Sequence, residues 1–102
     1  MAASYTRRTL LTVVCESSIE ARVVADAKRL GAHGYTASEA RGGGQHGERD
    51  GGWPMSGNVR IDILCEAAVA DAIAAHLQGT YFAAYAMVCY LSDVSVLRSD
   101  KF

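Results

Sequence analysis

The stretch from Arg41 to Gly57, RGGGQHGERDGGWPMSG, is the feature that most limits what this chain can become. It holds seven of the ten glycines and the only proline, Pro54. Its one aromatic is Trp53, and it has no apolar run. Such a stretch cannot bury enough surface to offset the entropy of ordering it, so a mobile loop is expected. Structureless loops of this length are uncommon in compact domains and are usually functional or disordered. Apolar, periodic segments flank it, and they read as the scaffold that presents it.

Upstream, Thr9 to Glu16 (TLLTVVCE) is β-branched and apolar and reads as a first strand, with residues 1–7 frayed. Ser17 and Glu20 have the spacing of a capping box, in which each side chain serves the other's backbone N–H. A helix follows to about Leu30, with Ile19, Val23, Ala27 and Leu30 on one face. Gly31 stands where helices commonly stop. Tyr35 to Ala40 reads as a weak second strand leading into the loop. Downstream, Val59 to Cys65 is the clearest strand: Val59, Ile61, Ile63 and Cys65 face one side, Arg60 and Asp62 the other. Ala67 to about Gln78 is a second helix with Val69, Ile73, His76 and Leu77 inward. Gly79 either ends it or sits in a final turn reaching Phe82. Ala86 to Leu97 is a last strand, broken or bent near Ser92–Asp93.

The order is β-α-β-loop-β-α-β. Right-handed crossovers then give an α+β, ferredoxin-like βαββαβ sandwich. One four-stranded antiparallel sheet carries both helices on one face. A chain of 102 residues is enough for one such domain, spanning residues 1–102. The other face would carry Leu10 or Leu11, Met87 or Val88, and Tyr90 or Leu91, too apolar for water. That predicts self-association, most simply a closed ring. The architecture alone does not give function.

Several functions are disfavoured. A net charge of −1 argues against non-specific nucleic-acid binding, which needs a basic face. No window reaches the roughly 18 apolar residues of a membrane span, so no insertion is expected. The N-terminal MAASYTRR has no signal-peptide core behind it. Cys15, Cys65 and Cys89 are odd in number and far apart, and read as reduced, buried thiols of a cytoplasmic protein. Gly42 to Gly47 matches G-x-G-x-x-G, but Glu48, Arg49, Asp50, Gly51, Gly52 and Pro54 follow, and no helix can start there to face a dinucleotide. No Gly-Lys-Ser/Thr completes a P-loop. Two readings stay open for these glycines: a flexible hairpin loop, or a backbone nest for an anion with Arg41 and Arg49 beside it.

His33, His46 and His76 form no metal-ligand spacing with the cysteines, and no metal site is expected. Only His46 lies in the loop, where an imidazole could meet an anion. No serine or cysteine sits in an elbow or beside a histidine, so no catalytic residues are assigned and an enzyme is not expected. The third strand lacks the aromatics of an RNA-recognition sheet. Trp53 either folds back on its own loop or anchors a partner.

Three segments carry a family resemblance. Gly31-Ala32-His33-Gly34-Tyr35-Thr36, Glu39-Ala40-Arg41-Gly42-Gly43-Gly44-Gln45 and Gly57-Asn58-Val59-Arg60-Ile61-Asp62-Ile63 resemble the PII signalling family. There a G-x-x-G-x-T turn leads into a glycine-containing T-loop that returns through a V-K/R-I-E/D strand. The similarity covers most of residues 9–98, with the T-loop at about 41–57. The short tail and the compact Gln78–Tyr85 connection look more like the PII-like branch linked to bicarbonate uptake and carboxysomes.

The resemblance implies a ferredoxin-like homotrimer with adenine nucleotides in intersubunit clefts. Thr36 and the backbone at Leu64 would meet the adenine, and Gly42, Gly44 and Gln45 the phosphates, with Arg41 and Gly43 beside them. Arg98 would be a phosphate partner, and Met87 would line the cleft from a neighbour's last strand. Bicarbonate would fall to Gly44, Gln45 and His46, and a protein partner to Arg49 and Trp53. Gln78-Gly79-Thr80-Tyr81 lacks the basic B-loop of nitrogen-regulatory members, which weakens the case for tight triphosphate binding. The loop has no tyrosine for covalent modification, and the C-terminal cysteine pair of some bicarbonate-branch members is absent. The expected function is a non-catalytic sensor of ADP or AMP, with ATP a further candidate, and of bicarbonate. It would signal inorganic-carbon status to a bicarbonate transporter or a carboxysome-related protein by ordering its loop. The competing readings are a ferredoxin-like trimeric enzyme or metal-binding protein using His46, and a ligand-independent adaptor using Trp53.

Overall fold

The computed structural model of the chain describes residues 4–43 and 57–98. Four antiparallel strands form one sheet: β1 (Thr6–Glu16), β2 (Thr36–Ala40), β3 (Asn58–Cys65) and β4 (Met87–Val96), in the spatial order β2-β3-β1-β4. Helices α1 (Glu20–Arg29) and α2 (Ala67–Thr80) make the two crossovers. This is the ferredoxin-like arrangement expected from the element order.

Strand register decides which residues are covered. Leu11, Val13 and Cys15 of β1 stand opposite Ile63, Ile61 and Val59 of β3, and opposite Leu91, Cys89 and Met87 of β4. Paired residues share a face, and this set turns toward the helices. Val23 and Ala27 of α1 and Ala70, Ile73 and Leu77 of α2 close over it, and the core is buried. Each such aliphatic side chain contributes about 1.5–3 kcal/mol when fully removed from water.

Helix α1 ends as its sequence suggests. Gly31 has φ +121°, its N–H donates to the Lys28 carbonyl, and the Ala32 N–H reaches back to the Ala27 carbonyl at 3.0 Å. That pair of bonds satisfies carbonyls the helix end would leave orphaned. The helix start differs from expectation. Ser17–Ile19 takes a tighter 3-10 turn, no side chain caps either that turn or α1, and the Glu20 N–H donates to the Ser17 carbonyl. The capping box therefore does not form, because the tight turn already serves the donor it would have satisfied.

Three further expectations are corrected or decided. β1 begins at Thr6, not Thr9, because β4 is long enough to pair with it there: Thr6 faces Val96 and Arg7 faces Ser95. β4 is unbroken, since Ser92 and Asp93 pair with Leu10 and Thr9. Helix α2 runs through Gly79 to Thr80, and Tyr81 follows at 2% exposure with its N–H on the Leu77 carbonyl at 2.9 Å. Burying that ring outweighs the roughly 1 kcal/mol that a glycine costs within a helix. Cys15 and Cys65 are buried and Cys89 half-buried, all as free thiols. Among the described residues, no helix is long and apolar enough to cross a membrane.

Among the described residues, the second face of the sheet has no helix over it. Register places Leu10, Thr12 and Val14, Leu64, and Val88 and Tyr90 on it. The choices left open by the sequence thus resolve as Leu10, Val88 and Tyr90 outward, with Leu11 and Met87 in the core. Leu91 shares the covered side but stays largely exposed on the outer strand β4.

Candidate functional site

The site grows from the end of the sheet where β2 and β3 part. Ala40 and Asn58 form their last rung, and the chain between them is the glycine-rich segment. Its return is pinned. Gly57 has φ +79°, a conformation suited to glycine, and its carbonyl accepts from the Ser17 N–H at 2.7 Å. At the same end of β1, Glu16 Oε2 accepts from the Ala86 N–H at 2.9 Å, just before β4. The end of β1 therefore holds both the loop return and the start of β4.

On the open face this convergence makes a cavity of about 370 Å³, lined by Val14, Ala40, Arg41, Gly42, Gly43, Asn58 and Val88. The volume lies in the range of small-molecule sites. Val14, Ala40 and Val88 supply apolar contact, and Arg41 supplies a permanent cation with a planar set of donors. A second, more polar cavity of about 620 Å³ shares Ala40, Arg41 and Asn58 and adds Ser17, Glu39 and Gly57. A Cβ built on Gly42 would meet nothing within 4 Å, so the surrounding described atoms do not demand glycine there. A bare Cα instead leaves the backbone open to close approach by a ligand.

Beside the cavity the open face carries a polar row. Thr12 Oγ1 donates to Asp62 Oδ1 at 2.7 Å, and Arg60 Nε donates to both Asp62 oxygens at 3.2 and 3.3 Å. The arginine and aspartate are both partly exposed, so water screens this pair and it adds little to stability. It fixes the position of a cation two residues along β3 from Asn58.

The structure gathers some of the expected site residues and separates others. Arg41, Gly42 and Gly43 meet at the cavity. Thr36 opens β2 opposite Asp62, on the same open face, roughly 13 Å along the strand from Ala40. Leu64 is also on that face, opposite Leu10, and does not line the cavity. Met87 is 9% exposed and packs in the core, because its partner is Cys15 on the covered side. Its neighbour Val88 occupies the outward position at the cavity. Arg98 lies past the far end of β4, in the left-handed region at φ 59°, so it does not approach the cavity of its own chain. Gly44, Gln45, His46, Arg49 and Trp53 lie outside the described residues.

Sequence reasoning missed Val14, Asn58 and Val88. Register carries the signal for two of them, since Val14 and Val88 are direct partners across β1 and β4. The described residues hold no cluster of three or more His, Cys, Asp or Glu suited to a metal. The thiols are not activated. Burial, then Glu20 and Glu16, push Cys15 up to about 11, and burial also raises Cys65 and Cys89.

Comparison with known proteins gives one family and a set of folds. Residues 8–101 match the family described as Nitrogen regulatory protein P-II. A PII-like signaling protein of Thermus thermophilus is 37% identical, with 97% of this chain and 98% of that one covered and a TM-score of 0.82. The structure of CPII from Thiomonas intermedia, bound to ADP and bicarbonate, is 22% identical over 99% of each chain, with a TM-score of 0.84. The same protein bound to ADP, AMP and bicarbonate is 21% identical over 93% of this chain and 98% of that one, with a TM-score of 0.78. No curated protein matches.

Proposed function

Because this chain belongs to the nitrogen regulatory protein P-II family, we propose that it is a non-catalytic, homotrimeric sensor of adenine nucleotides, AMP or ADP, and of bicarbonate. The observation that carries the reading is the cavity at the root of the β2–β3 segment, where Arg41, Gly42 and Gly43 meet an apolar floor. An adenine nucleotide needs both parts: apolar contact for the base and a cation with open backbone for the phosphates. The open apolar face supports a trimer, in which neighbouring sheets cover Leu10, Leu64, Val88 and Tyr90. Thr36 and Leu64 on that face, and Arg98 beyond β4, would complete the cleft from the same chain or a neighbour.

The fold relative CPII, with ADP, AMP and bicarbonate bound, supports this choice of ligands. ATP is the weaker candidate, because Gln78–Tyr81 offers no basic residue for a third phosphate. Gly44, Gln45 and His46 are the residues assigned to bicarbonate, and Arg49 and Trp53 those assigned to a protein partner. The segment acts as a T-loop in the cytoplasm, reporting inorganic-carbon status to a bicarbonate transporter or carboxysome-related protein. A ligand shifts such a loop only by its difference in affinity for the ordered and disordered states.

Titration calorimetry with AMP, ADP and ATP, each with and without bicarbonate, tests the proposal. ADP or AMP should give saturable heat, and Arg41→Ala should weaken it by about tenfold, the loss of one charge-assisted contact. Bicarbonate is held by few contacts, and a millimolar affinity, about −4 kcal/mol, is expected for it. Absence of heat with every adenine nucleotide would sink the proposal.

A further inference from the structure

A polar cluster joins the two helices away from the cavity, where the buried Tyr81 ring reaches the edge of the core. Asp26 stands on α1, His76 and Thr80 on the last turns of α2, and Tyr81 just beyond. Asp26 Oδ2 accepts from the Tyr81 hydroxyl at 2.5 Å and lies 3.0 Å from His76 Nε2. A carboxylate only accepts, so Nε2 carries the proton. His76 Nδ1 lies 3.5 Å from Thr80 Oγ1.

The charged and titratable groups around the imidazole come from every neighbouring element. From α1, Asp26 is joined by Arg29, 3.5 Å from Oδ1, and by Arg22, whose guanidinium stands 5.3 Å from the centre of the Tyr81 ring. From the connection to β4, Tyr81 meets the imidazole edge-on at 6.3 Å, and Tyr85 accepts from Arg22 at 3.1 Å. Burial alone would raise Asp26, but hydrogen bonds from Tyr81, His76 and Arg29 override it and hold the carboxyl below its ordinary range. Burial, and then the bond to Asp26, push Tyr81 up. Near neutral pH the carboxylate stays charged and the phenol protonated. Histidine is the residue type whose charge changes in that range.

We propose that this cluster is a proton-sensitive clamp: on taking up a proton at Nδ1, His76 tightens the hold of α1 on the end of α2 and steadies the Tyr81–Tyr85 connection into β4. The proton comes from solvent, which reaches the 27% of the side chain left exposed. Thr80 turns from donor to acceptor, and the existing bond from Nε2 to Asp26 becomes an ion pair. The connection is the segment controlled, because the Tyr81 carbonyl accepts from the N–H groups of Ala84 at 3.1 Å and Tyr85 at 2.9 Å. Ala86 and Val88 follow directly. The clamp does not depend on what the cavity binds.

Amide hydrogen exchange on the full chain without ligand, corrected for intrinsic rates, tests it. Protection of the Ala84 and Tyr85 amides should be about fivefold higher near pH 6 than near pH 8, the effect of one partly exposed ion pair. His76→Gln keeps a donor for Asp26 but cannot titrate, and should abolish this pH dependence while β3 protection stays high. Asp26→Asn keeps an acceptor for Tyr81 but not the charge, and should abolish it too. Equal protection at both pH values in the unmodified chain would overturn the clamp. So would a pH dependence that survives in either variant.

Discussion

The two faces of this sheet carry similar side chains in different surroundings. Leu11, Val13, Ile61 and Ile63 lie under the helices and are almost wholly buried. Leu10, Val14, Leu64, Val88 and Tyr90 alternate with them along the same strands and have no helix over them among the described residues: the first three are half-buried, and Val88 and Tyr90 are exposed. The covered face completes the fold of one chain. The open face is left to be completed by something else, and the candidate site sits on its edge. What a chain of this kind buries by itself reports on folding, and what it leaves apolar reports on assembly and function.

The comparison can be broken first on the covered side. Ile61→Ala should cost about 2–5 kcal/mol in chemical denaturation, since the transfer loss and the cavity add. A loss under about 1 kcal/mol would mean that the helices do not pack this face as described. On the open side, Val88→Asp should leave the protomer folded and disperse the proposed trimer to single chains in sedimentation velocity. An unchanged trimer would remove this face from the assembly. Gly31→Ala comes next, at about 1–3 kcal/mol, because φ +121° disfavours any side chain and the new Cβ would sit 3.3 Å from Val69 Cγ2. Thermal unfolding reads that shift.

Gly42→Val should change stability by less than about 0.5 kcal/mol, as its surroundings leave space, yet weaken ADP binding at least tenfold. Equal losses in stability and binding would show that the glycine serves the fold. The smallest effect concerns acid. Asp26 has its carboxyl held below the ordinary range, so its contribution is present above the unfolded value of about 3.9 and fades as pH falls through the lower folded one. Asp26→Asn should therefore flatten the stability profile below about pH 4 and, with the ion pair to His76 gone, remove the change between about pH 6 and pH 8 as well.

The covered face was largely legible in the chain itself. Val59 to Ile63 alternates strictly, and its apolar set is part of what the helices bury. Gly31 stops α1 because a local backbone geometry requires it. Errors arose where a distant partner decided. Arg7 and Arg8 look like a polar tail, but β4 pairs with them. Ser92–Asp93 looks like a break, but β1 continues the ladder through it. Gly79 hid the buried Tyr81, and the Asp26–His76 contact joins residues 50 apart. At the site, the glycines of the loop root were legible as composition. Val14 and Val88 were not, because which side of a strand faces out follows from register between β1 and β4, and one residue of parity separates Val88 from Met87.

Titrating ADP into the uniformly ¹⁵N-labelled chain tests the central claim most directly, because it locates binding as well as detecting it. The expected result is saturable amide shifts concentrated at Arg41, Gly42, Gly43, Val14 and Val88, with the α1–α2 surface unchanged. Shifts confined to the helical surface, or none at millimolar ADP, would contradict it.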